Sequence, residues 1–564
     1  MALAAPAFAH GGEYVAPADP SAPSAPPPQG GAPGGPQVPP GTADPPSPLT
    51  RWETWWAANK EAFLRLNEAM REDAEPESRG LTGKPAKSKA STAEQRAARD
   101  AAVREAIVPI LIEALGDSSF EVRTSAAIAL GKSGRPEAAK PLHEAALKDR
   151  HKDVRDSALL GLGLLGGTGE IPFLDSVLAD REAGTRHRSF AAFALGLIGG
   201  EDAAASLLAF ADGRPGRPST FAAEPPPLIS STFVAMGLTG DPRVLPALRR
   251  ALPDANAYDE NVRAFVALSL GRMNDRDSLP DLGRMLVVER DPGLRRSAAV
   301  ALGRIATPDD TAAIEGLLSA LADDKDEMVR HFAAMSLGGM KDPAISERVA
   351  KLFADSRKSA RPFLALSMAV AEYAPAAPLL RAALAKETDE SVKSSYCIAL
   401  ALLRDRASAP LMEAAVKDRG LIWLQGYAAL ALGMLGSADS VPLLHARLEA
   451  ETDPRLRSNL AVALGLLHDP AAKTWLVKTL KSDGSVFERG GAAMAMGVLR
   501  MNEAVPDLAG IYDDKKEQDL VRAFAVVALG LIADPSPVPK LARFSIDNNY
   551  SLSVDPLNEV LSIY

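Results

Sequence analysis

The 564-residue chain contains one cysteine and seven histidines, and aromatic residues make up only 5% of it. The lone Cys397 excludes an intrachain disulfide framework and a cysteine-based zinc site. It lies within an apolar helical pattern, so a buried, inert thiol is expected. The histidines (His10, His143, His151, His187, His331, His445 and His468) are scattered, and none belongs to an H-E-x-x-H zinc helix. There is no P-loop, no G-x-S-x-G and no G-x-G-x-x-G following a strand. Sequence alone therefore nominates no catalytic residue, no metal ligand and no cofactor. No apolar run approaches the ~18 residues of a membrane span. Net charge is −9 and the 63 Lys and Arg are dispersed. A chain without a basic stripe is poorly suited to nucleic acid, whose binding is dominated by phosphate contacts.

Repetition is what the chain has in abundance. A ten-residue phrase, clearest as Val122-Arg-Thr-Ser-Ala-Ala-Ile-Ala-Leu-Gly131, returns thirteen times at steps of 31–35 residues, with one step of 41. Counting Val122 as zero, position seven is always Ala, Gly or Ser, from Ala129 to Ala528. Position eight is Leu or Met, and position nine is Gly except at Ala369 and Ala401. A constant small residue beside a constant large one is a packing rule: one admits a neighbouring helix, the other fills the layer. Ahead of each phrase lies a second helical pattern that often opens on proline, as at Pro109, Pro141, Pro172, Pro246, Pro280 and Pro442. Proline suits a first helical turn, where its missing N–H has no partner to lose. Each unit is thus an outer helix, a turn, and an inner helix carrying the phrase.

Position one is Arg or Lys in eleven units, and in nine an acid lies six residues earlier, as in Asp117 before Arg123 and Asp324 before Arg330. Such a ladder could hold a polyanion. The matched acids favour a structural reading, in which each acid in the turn pairs with an arginine of its own or the adjacent unit. Position two looks like the exposed site of the inner helix. It is mostly small and neutral, with Arg296 and His331 as the conspicuous exceptions.

The phrase, the proline-led outer helix, the Asp-to-Arg spacing and the 31–35 period resemble HEAT repeats, particularly the short HEAT-like type named for phycobilisome lyases. The resemblance covers about 105–534. It implies an all-α, armadillo-like α/α superhelix of about 13 helical hairpins, used mostly as a scaffold. With layers ~9–10 Å apart, an open array would run roughly 120 Å. HEAT-like deoxyhypusine hydroxylases hold iron with several His-Glu pairs, whereas this chain has one, His143-Glu144.

Around the array, residues 1–48 hold 14 of the 44 prolines and read as a disordered tether. Within it, Ala7-Phe8-Ala9 resembles the end of a signal peptide and points to export to the periplasm; an Ala-rich disordered end, and a cytoplasmic protein, is the alternative. Thr50-Arg-Trp-Glu53 has the capping-box pattern and opens an amphipathic helix within 49–72, carrying Trp52, Trp55 and Trp56. That helix is expected either to cap the first repeats or to expose an aromatic patch to a partner. It resembles the segment ahead of the array in uncharacterised bacterial HEAT-repeat proteins. Residues 73–95 read as a flexible linker, 96–534 as the repeat array and 535–564 as a C-terminal cap.

The 41-residue step comes from an insertion at 212–227, where Ile229 replaces the arginine. There Arg214, Arg217 and Phe221 could anchor an acidic partner, or the loop could be a tolerated excursion. The expected function is a non-catalytic scaffold binding a protein or peptide on its concave face or at this loop. The alternative is an enzyme, lyase-like or metal-dependent, with a site near Arg296 and His331.

Overall fold

The computed structural model describes residues 48–64, 93–214, 217–218, 220–418, 422–552 and 554–562. The tether at 1–47, with Ala7-Phe8-Ala9, and most of the linker, 65–92, lie outside the described residues.

Thirteen inner helices are present among the described residues, from Phe120–Ser133 to Asp519–Ala533, each packed against the next. The position-nine glycines show why. An added Cβ on Gly163 would lie 2.5 Å from Ala194 Cα, on Gly271 2.7 Å from Ala301 Cα, and on Gly338 2.5 Å from Ser367 O. Position nine of one unit therefore touches position seven of the next, and backbone meets backbone. Gly465 departs from this, meeting the Leu499 side chain instead.

Outer helices begin as expected on proline in the first turn, as in Ile171–Ala179 and Leu279–Val288, usually after a single 3-10 turn. The first is different. Pro109 lies inside a longer helix, Ala93–Ala114, rather than opening one. Several inner helices start on a side-chain cap: Asp259, Asp291, Asp326, Asp389 and Ser119 each accept from the amide three residues on.

The array is not an open rod of ~120 Å. Its last inner helix, Asp519–Ala533, packs on its first, Phe120–Ser133, so the thirteen units form a closed ring. The seam obeys the internal rule: a Cβ on Gly530 would lie 2.5 Å from Ala129 Cβ, position nine against position seven once more. Small residues at these positions allow the array's two ends to meet as any two neighbours do.

Candidate functional site

Solenoid proteins offer a partner their inner wall, so that wall is where a site is sought first. Position two is expected to open onto it, yet Thr124, Asp156, Ser189, Ser230, His331 and Ser394 are all 2% exposed or less; position two packs on position three of the next inner helix, as His331 does on Phe363, Gly426 on Asn459 and Gly490 on Phe524. The expectation that position two is open to solvent is overturned. The chain's own ends fill the lumen.

Two segments do so. The N-terminal helix, Trp52–Leu64, crosses it with Trp52, Trp55 and Trp56 buried. Trp52 Nε1 donates to the carbonyl of Ser391 at 2.9 Å, and the ring packs on Tyr427 at 4.8 Å between centroids. The contact partners of Trp52 are thus in the ninth and tenth units, not the first repeats, and Trp52, Trp55 and Trp56 form no exposed patch. Desolvation beside Glu53 raises the Tyr427 phenol above its ordinary range.

The C-terminal segment runs the other way. Lys540 Nζ reaches the carbonyl of Leu164, and Arg543 that of Leu238 at 2.5 Å, both at the ends of inner helices. Phe544 packs edge-on to Phe193 and Tyr550 against Phe332. Asn549 Nδ2 donates to Ser297 Oγ at 3.0 Å. The segment finishes in the helix Asp555–Ser562, where Glu559 accepts from Arg186 at 2.5 Å near the start of an inner helix. It therefore traverses the ring from one face to the other. At its far end Arg186 also pairs with Asp153 and Asp156, and His187 joins Asp156. No sequence signal marked this network, because its members come from two units and the terminus.

The nominated residues are used up in this packing. Arg296 is engaged by Asp326 and by Ser551 Oγ at 3.0 Å. His331 is 2% exposed and stacks on Phe363 at 3.8 Å. Burial, reinforced by Arg330, pushes His331 down to about 3, so it is neutral throughout the physiological range. A site built on Arg296 and His331 has neither an open cleft nor a base poised near neutrality. Burial likewise pushes the Cys397 thiol up to about 12, which leaves it unreactive.

The ladder of cations is structural. Arg123 is 2.7 Å from Asp149 of the next unit, Arg263 2.7 Å from Glu289, and Arg295 2.9 Å from Asp324. Each also binds a carbonyl of its own turn, as Arg123 does with Asp117 O and Arg295 with Glu289 O. One guanidinium thus ties two layers together. Across the seam Arg522 makes the same contact with Asp117 of the first unit. Where Gln425 replaces arginine the direction reverses, and Arg447 of the following unit donates to its amide oxygen.

At the insertion, Arg214 and Arg217 fall on a two-stranded hairpin, Gly213–Arg214 with Arg217–Pro218. Phe221 is 3% exposed, wedged between Phe210 and Phe233, so it is a packing residue rather than an anchor for a partner. Glu224 pairs with Arg188 at 2.8 Å, supplying the carboxylate that the missing turn acid would have given.

Among the described residues no cluster of His, Cys, Asp and Glu is placed to hold a metal ion. His143 is hydrogen-bonded to Glu170 at 2.9 Å. No described helix is long and apolar enough to cross a membrane.

Among solved structures, human deoxyhypusine hydroxylase is 21% identical, over 48% of this chain and 96% of its own, with a TM-score of 0.21. YibA of Escherichia coli is 17% identical over 46% and 95%, with a TM-score of 0.32. Importin beta is 15% identical over 76% and 67%, with a TM-score of 0.40. No curated protein matches the chain. The profile of HEAT repeats matches residues 86–163, 255–319, 314–401, 377–465 and 410–490, more than half of the sequence. By that match and by its stacked helical hairpins, the chain belongs to the HEAT-repeat family.

Proposed function

We propose that the protein is a non-catalytic scaffold that binds a protein partner on the outside of a closed ring. The observation that carries this reading is the occupied lumen: the chain's own termini cover the wall on which an open solenoid would lay a peptide. What remains for a partner is the outer helices and the two faces of the ring. The hairpin of Gly213–Arg214 with Arg217–Pro218 belongs to the one insertion in the repeat and is the favoured contact, since insertions in repeat arrays map to one edge.

Co-purification from the native source, followed by cross-linking and mass spectrometry, tests it. A stoichiometric protein partner is expected, lost when 213–219 is deleted while Phe221 and Glu224 are kept. Unchanged capture by that deletion removes the hairpin from the interface. Turnover of a small molecule, abolished by His331→Ala without loss of fold, would replace the scaffold with an enzyme.

A further inference from the structure

One face of the ring gathers the C-terminal ends of the inner helices, and cations collect there. Lys540 and Arg543 donate to the terminal carbonyls of Leu164 and Leu238, so both act as helix caps. Arg304 ends its own inner helix and pairs with Asp547 at 2.6 Å. Arg272 occupies the equivalent place one unit earlier and behaves differently. It is partly buried and has no hydrogen bond or ion pair among the described residues.

Arg272 is not needed to cap its helix. The amides of Met273, Asn274 and Asp275 already bind the carbonyls of Ser269, Gly271 and Leu270, at 2.9, 3.0 and 3.1 Å. Asn274 adopts a left-handed conformation, φ 52°, to complete this closure. Nor is the local charge balanced. The guanidiniums of Arg304 and Arg543 act on Arg272, and the opposing carboxylate, Asp547, is spent on Arg304. Desolvation, with Arg304 and Arg543 beside it, pushes Arg272 well below the usual guanidinium range. An uncompensated, partly buried cation is costly, and an anion relieves that cost. Solvent reaches the group, because Arg272 is itself only half-buried and its neighbours Asp547 and Arg304 are 48% and 31% exposed.

We propose that Arg272, with Arg304 and Arg543, forms a binding site for an oxyanion, a carboxylate or a phosphate, on the face of the ring where the inner helices end. Arg272 supplies a free planar fork that can take two oxygens, and Arg304 and Arg543 supply the field. The site lies where the lumen-filling C-terminal segment meets this face, away from the hairpin of Gly213–Arg214 with Arg217–Pro218, which lies between the outer and inner helix of its unit and so near the opposite face.

Thermal melting of the full chain at fixed ionic strength tests this with two probes, inorganic phosphate and an end-blocked tetraglutamate peptide, each against chloride. A saturable rise in melting temperature is expected with at least one. A response to phosphate alone assigns a free phosphate group, and a response to the peptide alone assigns side-chain carboxylates of a protein. Arg272→Met should abolish the rise, and Lys540→Met, a cap on the same face, should keep it. Without probe, Arg272→Met should melt at or above the parent temperature, because it removes an unpaired charge. A lower melting temperature would make Arg272 a structural group and overturn the site. So would the absence of any rise with both probes, or a rise that persists in Arg272→Met.

Discussion

Two interfaces of the ring invite comparison: the seam between the thirteenth unit and the first, and an ordinary internal contact such as that between the first unit and the second. Both press position nine on position seven, Gly530 on Ala129 at the seam and Gly131 on Gly161 inside. Both stitch the layers with an arginine. The internal pair, Arg123 and Asp149, has side chains 5% and 11% exposed; the seam pair, Arg522 and Asp117, is more deeply buried at 2% and 3%. Lys515 reaches the same carboxylate at 3.1 Å, Tyr512 approaches Glu113 at 3.5 Å, and Pro535 packs on Gly134. An internal interface is held together by the chain running through it. The seam has no such link, and there Lys515, Arg522 and Tyr512 bridge the gap that covalent continuity spans elsewhere.

The largest effect should come from removing 540–562. That deletion uncovers the lumen and loses Phe544, Leu552, Val554, Leu557 and Val560, all buried. At about 1.5–3 kcal/mol for each large apolar side chain, the loss rivals the whole stability of a domain. Calorimetry should show a collapse of the cooperative transition, and dye binding should report the exposed wall.

Next comes Asp117→Asn against Asp149→Asn. Stranding the buried Arg522 should cost about 3–5 kcal/mol, and the internal variant less. Equal losses would erase the distinction between the interfaces. The same carboxyl predicts acid behaviour. Burial alone would raise Asp117, but hydrogen bonds from Arg522, the Ser119 amide and Lys515 outweigh it and hold the group at about 2. Its native value lies below the ordinary one, so its contribution is complete above about pH 4 and fades as pH falls towards 2. Scattering across that window should show the ring opening at the seam first.

Gly530→Val and Gly131→Val should each cost about 1–3 kcal/mol, since an added side chain would collide with backbone or Cβ atoms. Only the seam variant should enlarge the radius of gyration. Smallest is Arg330→Ala, which loses a bond of 2.6 Å to the Asp324 carbonyl; a stability loss of about 1 kcal/mol is expected, read as a lowered melting temperature.

The units themselves were legible in the sequence, because close helix packing writes itself into fixed positions. Ala, Gly or Ser at seven, a large residue at eight and Gly at nine each answer one local contact, and the matched acid and arginine answer another. Closure was not legible. It depends on the sum of small rotations across thirteen interfaces, and no single position encodes a sum. The filled lumen was hidden for a related reason. Position two reads as small and variable whether it faces water or packs on the next inner helix, as Gly490 does on Phe524, and a pattern of Ser, Ala and Gly cannot separate the two. His331 and Arg296 stand out as polar exceptions; Arg296 meets the C-terminal segment at Ser551, and His331 stacks on Phe363 of the next unit. Phe221 stood out because it lies in an insertion, yet the insertion folds back to supply Glu224 to Arg188.

Closure also makes the array count. An open solenoid can gain or lose a hairpin by duplication or deletion and merely lengthen or shorten. Here the turn per unit, summed over the units, must bring Gly530 back to Ala129, and it must leave a lumen of the width that the two termini fill. Adding or removing one hairpin changes the circumference and the bore together. The repeat number is therefore a fixed property of this architecture, and the sequence is free to drift within a unit but not in the number of units.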